Sequence, residues 1–479
     1  MRIIGNDPSV PRQTHEVASG TLPNGKPVIV NADGTVSIIT GESGSQTLGT
    51  PATFLSVPMN VASSVYDSSN QKIVIAYRDN SSPNYGSAIV GTVSGTSISF
   101  GSPVVFESAS TYNVSMAFDS SSNKVVIAYR DYGNSQYGTA IVGTVSGTSI
   151  SFGSPVVFEA ATSDYISIVY DTNAQKVVIG YRDVGNSNSG TAIVGTVSGT
   201  GISFGSPTVF NGSLNTISST YDANAQKVVI VYSDVGNSSY GTAIVGTVSG
   251  TSISFGTKVV FQAANSEYNF AVYDSNAQKI VILYKVSVGT GIVGTVSGTS
   301  ISFGSTATFS SGSLDFLAAT YDSVASKIVL AYRDYSNSYY GVLNVGTVSG
   351  TSISFGSSVV FESANSFHFS LATDTDAKKV VIAYGDGGNS SLGTYVVFQN
   401  QYNTTTITSE NYIGIARSGA ASGAGAIIDT QGAIADNLSG LTAGQSYFVQ
   451  TDGTLGTTAA DPSVFAGTAV SATKLIVKG

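Results

Sequence analysis

Lys124-Val125-Val126-Ile127-Ala128-Tyr129-Arg130-Asp131, followed after a short loop by Thr139-Ala140-Ile141-Val142-Gly143-Thr144-Val145-Ser146-Gly147-Thr148-Ser149-Ile150-Ser151-Phe152, decides the fold. Near copies recur along the chain. The Gly-Thr-Val-Ser start falls at Gly91, Gly143, Gly195, Gly246, Gly294 and Gly346, in steps of 52, 52, 51, 48 and 52 residues. Self-similarity at that period signals a repeat architecture.

Each unit holds four strand-like runs. In the second, run a lies near Tyr112 to Phe118 and the polar turn Asp119 to Asn123 follows. Run b, Lys124 to Tyr129, is continuously apolar, as expected of a strand covered on both faces. Run c spans Thr139 to Val145, Ser146-Gly147 makes a tight turn, and run d spans Ser149 to Phe158. Four antiparallel strands in this length match one blade of a β-propeller. A row of small β-sandwiches is the rival, but so short a unit has little core of its own.

The copies can be counted at the turn between runs a and b. It falls at Tyr66-Asp67, Phe118-Asp119, Tyr170-Asp171, Tyr221-Asp222, Tyr273-Asp274, Tyr321-Asp322 and Thr373-Asp374. The last set lacks a run d. A matching segment stands at the other end, where Gly49-Thr50-Pro51-Ala52-Thr53-Phe54 resembles Gly304-Ser305-Thr306-Ala307-Thr308-Phe309. This predicts an all-β chain. A seven-bladed β-propeller over 46–401 would be closed by an N-terminal outer strand, which removes exposed sheet edges. Residues 1–45 and 402–479 carry Asn24-Gly25, Asp33-Gly34 and Asp452-Gly453 turn signals. They are expected to form one composite β domain, for anchoring or oligomerisation, into which the ring is inserted.

Composition narrows the function. Charged residues make up only 10% of the 479 and the formal net charge is −9, which disfavours nucleic acid as a partner. The chain has no cysteine and only two histidines, His15 and His368, leaving little material for a metal site or a Ser-His-Asp triad. No cofactor and no metal are expected. Met1 to Asp7 lacks an apolar leader, which predicts synthesis in a cytoplasm, and no apolar run is long enough for membrane insertion.

The flanks carry a resemblance. Ala18-Ser19-Gly20-Thr21-Leu22 to Val36 looks like the start of structural proteins of tailed phages, especially those of marine and cyanobacterial hosts. Gly440-Leu441-Thr442-Ala443-Gly444-Gln445-Ser446-Tyr447, through Asp452-Gly453-Thr454 to Val477, is similar to the ends of phage tail-fibre and virion-surface proteins. The resemblance implies a non-enzymatic component of the virion surface, on tail fibre, baseplate or as head decoration. Its implied partners are other virion proteins, further copies of itself in a homo-oligomer, and a host-surface glycan or envelope protein.

Candidate ligand residues gather at the loops between runs b and c. An aspartate ends run b at Asp79, Asp131, Asp183, Asp234, Asp334 and Asp386, and Lys285-Val286 interrupts the series. An arginine precedes it at Arg78, Arg130, Arg182 and Arg333. The carboxylates could form a ring for cations or sugar hydroxyls. Alternatively, each caps its own loop and pairs with its own arginine. Tyr85, Tyr132, Tyr137, Tyr240, Tyr335, Tyr339 and Tyr340 lie in the same loops. Aromatic faces among Asn and Ser suit glycan stacking, protein contacts or packing between blades. The run d to run a connections, such as Glu107 to Thr111, are expected to be variable loops on the same face. No catalytic residue stands out. The chain has no Trp, so sialidase-type Asp-boxes and WD40 repeats are absent. The function readings are therefore a virion-surface structural protein, a lectin-like adhesin, and a glycan hydrolase using paired carboxylates.

Overall fold

The computed structural model describes residues 12–81 and 84–478, with no side-chain account of 403 and 404. The Met1–Asp7 stretch read above for a leader lies outside the described residues. The chain divides into two compact units, one made of 1–45 with 401–479 and the other of 46–400. Both are built of antiparallel sheets joined by turns; the second adds short 3-10 segments, and its fold is propeller-like.

Within the repeats, Lys124–Asp131 pairs with the inner strand on one side and with Tyr137–Ser146 on the other. Its Val125, Val126, Ile127, Ala128 and Tyr129 are all fully buried, as their unbroken apolar run requires. The turn before it is set by Asp119, whose Oδ1 accepts from the backbone N–H of Ser121 at 2.9 Å and of Ser122 at 3.1 Å. The turn after the third strand closes Ser146 on Ser149 across two residues, with Gly147 at φ 60°. That φ suits Gly and few others.

The outer strand departs from the expected single run. Ser149–Phe152 pairs with Gly143 to Ser146, and the chain then breaks at Gly153-Ser154-Pro155. Pro155 has no N–H to give a ladder. Pairing resumes at Val156 against Ala140, and the strand then runs unbroken to Asp171 in the next repeat. The crossing from Glu107 to Thr111, expected as a loop, is likewise strand, held by Glu107 to Gly86 and Ser110 to Tyr85. Backbone pairing with the third strand supplies the order that its polar side chains do not announce.

Neighbouring repeats are joined by one recurring aromatic set. Phe106 packs edge-on against Tyr129 at 5.3 Å and against Phe152 at 5.8 Å. Phe158, Tyr181 and Phe204 repeat the arrangement. Each such pair contributes about 0.5–1.5 kcal/mol beyond its burial. Serines add backbone contacts: Ser115 Oγ accepts from Ile168 N–H at 3.2 Å and Ser167 Oγ from Ser219 N–H at 2.9 Å.

The first and last repeats meet through the same contacts. Thr47, Leu48, Ala52 and Thr53 pair with Gln399, Phe398, Tyr395 and Thr394. Phe54, carried on this segment, stacks on Phe100 at 5.0 Å and meets Tyr77 edge-on at 6.5 Å. Tyr395 Oη accepts from Ile98 N–H at 3.1 Å. Tyr66 Oη donates to Asp376, as Tyr221 bonds Asn173 N–H in the third repeat. The inner strands line a cavity of about 320 Å³ whose walls include Ser63, Ser115, Ser167, Ser218, Phe270, Ala318 and Ser370.

In the unit formed by the two flanks, Gln13–Val17 pairs with Gly425–Asp429 and Pro27–Val30 with Tyr412–Ala416. One sheet thus draws strands from both flanks. Its buried Asp429 accepts from Arg417 at 2.9 Å and from Gln13 Nε2 at 2.9 Å. Among the described residues no helix is long and apolar enough to cross a membrane.

Candidate functional site

At the end of the sheets that carries the second-to-third-strand loops, one backbone position is unlike its surroundings. Val61, Asn113, Tyr165, Thr216, Tyr268, Phe316 and His368 occupy it in the successive repeats, with φ between 40° and 55°. Left-handed backbone is uncommon for Val, Tyr or Phe. The cause is a register break in the inner strand, between Tyr112 and Ser115 in the second repeat and at the matching point in the others. Such bulges re-aim side chains. They do so here at a position where every second-strand core is alike and these residues differ.

A basic residue of the second strand pairs with the residue just before this position. Arg78, Arg130, Arg182, Lys285 and Arg333 stand there, with Ser233 in the fourth repeat and Gly385 in the seventh. Arg130 and Arg182 both pair with Asp164, the second at 2.6 Å, and Arg182 also donates to Asn215 Oδ1 at 2.8 Å. Arg333 donates to Asp315 at 2.7 Å and lies 4.6 Å from the Phe316 ring and 5.3 Å from Tyr335 and Tyr339. Arg78 lies over Tyr112 at 4.1 Å. The arginines are thus held by groups of their own repeat and the next, and Lys285 by Glu267 and Tyr268 of its own. The expected pairing of each arginine with the adjacent aspartate does not form, because successive residues of a strand face opposite ways.

Five of the six aspartates instead tie down their own loops, and Asp234 does not. Asp131 accepts from Asn134 N–H at 3.1 Å, Asp183 from Asn186 N–H at 3.0 Å, and Asp334 from Ser336 N–H at 2.9 Å. Asp386 takes Gly388 N–H at 2.9 Å and Asp79 takes Ser81 N–H at 2.8 Å. Asp234 holds Asn211 Nδ2 at 3.0 Å and Lys258 Nζ at 2.7 Å. Among the described residues no group of three or more His, Asp or Glu has the spacing of a metal site.

The tyrosines divide in two. Tyr85, Tyr137, Tyr240 and Tyr340 open third strands and are half-buried. Tyr132, Tyr335 and Tyr339 are each 43% exposed and pack on the arginines. Sequence reasoning missed Tyr112, Tyr165, Tyr268 and Phe316, which join them from the inner strand. The available signal was that the start of run a varies between repeats whose second strands are nearly identical.

His368 packs edge-on against Phe316 at 4.6 Å and Phe367 at 5.5 Å. Burial, then the charges of Arg78 and Arg333, push its pKa down to about 4. A base depressed this way is neutral in the folded chain, whereas the unfolded chain takes a proton near pH 6.5. Stability from this group is therefore complete above about pH 6.5 and falls as pH drops toward about 4. With some solvent access to the imidazole, the loss is on the order of 2 kcal/mol. Urea unfolding at pH 7 and pH 4.5 is expected to show this loss in the wild type. His368→Phe should lose less by that amount, and equal losses in both proteins would refute the assignment.

No protein-family model matches the chain, and no curated protein does. Solved structures are similar to it. The BP39L lectin from Burkholderia pseudomallei matches with a TM-score of 0.52 at 8% identity, over 78% of this chain and 98% of that one. A mutant of AofleA from Arthrobotrys oligospora matches with a TM-score of 0.42 at 11% identity, over 71% and 96% of the two chains. At 8% identity the likeness to the lectin concerns the fold alone.

Proposed function

We propose that the repeat unit is a glycan-binding module and that the protein is a non-enzymatic, lectin-like adhesin. The carrying observation is the single variable face. A scaffold of near-identical repeats presents Asn113, Tyr165, Tyr268, Phe316 and His368 through one bulge, each beside a basic group, a carboxylate or an amide. Aromatic faces beside fixed polar groups are the chemistry that takes a sugar ring: its C–H face stacks and its hydroxyls hydrogen-bond. Variation on one face of a constant frame is the usual layout of recognition. The fold likeness to the BP39L lectin agrees.

In this reading the repeats close as a seven-bladed ring with Thr47 to Thr53 as the last outer strand, inserted in the domain of the flanks. The pairing of that segment with Leu392–Gln399 and the Phe54–Tyr77–Phe100 contacts support the closure. The resemblance of the flanks supports a second element, the surface of a tailed-phage virion as the place where the module works. There the flanking domain would hold the protein to other virion proteins.

The test is a glycan array probed with the full chain. Binding to a defined set of glycans is expected, and it should persist in Asp131→Asn, since that carboxylate serves its own loop. An array without any signal would reject the glycan reading. Turnover of a bound glycan that stops in the Asp→Asn variants would replace it with a hydrolase.

A further inference from the structure

Resting on that reading, we infer that the glycan is held in one particular pocket, at the fourth repeat, where Ser233 stands in place of the basic residue, and that its ligand is a neutral pyranose. Elsewhere the space at this point of the repeat is occupied. Arg130 fills it between Tyr112, Tyr132 and Asp164, and Arg333 between Phe316, Tyr335 and Asp315. In the seventh repeat, where Gly385 leaves a gap, the Phe367 ring lies against the glycine, 2.3 Å from where a Cβ would stand. Ser233 does neither. Its hydroxyl turns in and donates to the Ser239 carbonyl at 3.0 Å, and the residue paired beside it is the short Asn215.

The result is an open pocket of about 480 Å³, lined by Tyr165, Tyr268, Asn215, Asn265, Glu267 and Ser239 among others. That volume lies within the roughly 300–1,000 Å³ of small-molecule sites and suits one or two sugar rings. Two aromatic walls come from the left-handed positions of the third and fifth repeats, which flank the serine repeat. Tyr165 carries the Arg182 guanidinium at 4.6 Å yet remains 37% exposed, so ring surface is left for a ligand. The polar groups are suited to hydroxyls. Asn215 Oδ1 is engaged by Arg182, which leaves its amide N–H₂ to donate. Glu267 is fixed by Lys285 at 3.1 Å and keeps oxygen lone pairs to accept.

Charge selects the class. The basic group that would favour an anionic sugar is missing at this repeat, and the Lys285 ammonium nearby is already paired with Glu267. Arg182, on the Tyr165 and Asn215 wall, is likewise paired, with Asp164 at 2.6 Å. The charges around the pocket are thus neutralised, which suits neutral sugars over sialylated or uronic-acid ones, and the Glu267 oxygens accept from their hydroxyls.

The experiment uses the full chain on an array of neutral hexosides and sialylated oligosaccharides, then titration calorimetry with the best soluble glycoside. Ser233→Arg restores the residue used in four other repeats, so the fold is expected to keep its thermal midpoint while the affinity falls at least tenfold. Tyr268→Thr installs the residue that the fourth repeat carries at the same backbone position, and should weaken binding similarly. Wild-type affinity in both folded variants would overturn the pocket and leave the glycan reading standing. Binding only to sialylated glycans would overturn the neutral class. No binding by the wild type to any glycan would overturn the pocket and the glycan reading together.

Discussion

Gly153→Ala should lower stability by about 3 kcal/mol, the upper range for overpacking, whereas Gly356→Ala should change it by less than about 0.5 kcal/mol. The two glycines hold the same place in their repeats, just after the outer Phe152 and Phe355. A Cβ at Gly153 would stand 1.9 Å from the carbonyl oxygen of Thr200, in the hairpin turn of the next repeat. The same approach occurs at Gly101, Gly205, Gly256 and Gly304, each within 1.8 to 1.9 Å of such a carbonyl. A backbone oxygen inside a hairpin cannot rotate away, so the outer strand must shift as a whole. At Gly356 the nearest atom would be the Val345 oxygen at 3.8 Å, an ordinary contact. The seventh repeat lacks the Gly-Thr hairpin that crowds the other sites, because its third strand ends at Gln399. Urea midpoints of the two variants separate the cases. Equal effects would mean that the repeats do not nest through these turns.

Apolar runs such as Val125 to Tyr129 are legible because burial on both faces leaves no polar choice. Turns are legible because Asp119 and Gly147 do chemistry that few residues can. The strand crossing from one repeat to the next was not legible. Residues such as Ser108 and Ser110 are polar, and their order comes from backbone bonds to the third strand that require no particular side chain. The left-handed position was hidden for a related reason. The residues there include Val61, Tyr165 and Phe316, which by themselves argue for extended backbone. The bulge imposes the angle on whatever residue is present. Five of the aspartates that seemed to offer a ligand ring recur because each closes its own loop, whereas Asp234 holds Asn211 and Lys258 and the fifth repeat carries Lys285-Val286 with no aspartate there. The pocket rests on an interruption, Ser233 within a series of Arg and Lys, and interruptions carry less pattern than repeats.

Leu55→Ala is expected to cost about 2–5 kcal/mol and to release the segment that joins the first and last repeats. Leu55 is 3% exposed and lies over Gly393, where a Cβ would come within 2.7 Å of the leucine methyl. It shares a buried cluster with Ile73, Ile75, Val381 and Val397, drawn from the first repeat and the last. Few backbone pairs hold this segment: Thr47 and Leu48 at one end, Ala52 and Thr53 in the middle, and Pro58 beyond an irregular stretch. With so short a ladder, side-chain burial must supply most of the hold. Removing the leucine takes away the transfer term and leaves a cavity against a glycine that cannot fill it. Amide exchange in Leu392–Gln399 should therefore quicken in Leu55→Ala more than in Lys227–Asp234, which sits within an unbroken set of neighbours. Val105→Ala is the control, since Val105 is 48% exposed on an equivalent outer segment and should change little. Uniform exchange across the repeats would show that the junction is no weaker than the others. Protection lost first at Leu392–Gln399 would show that the array opens where its two ends meet, and that the N-terminal segment is what holds them.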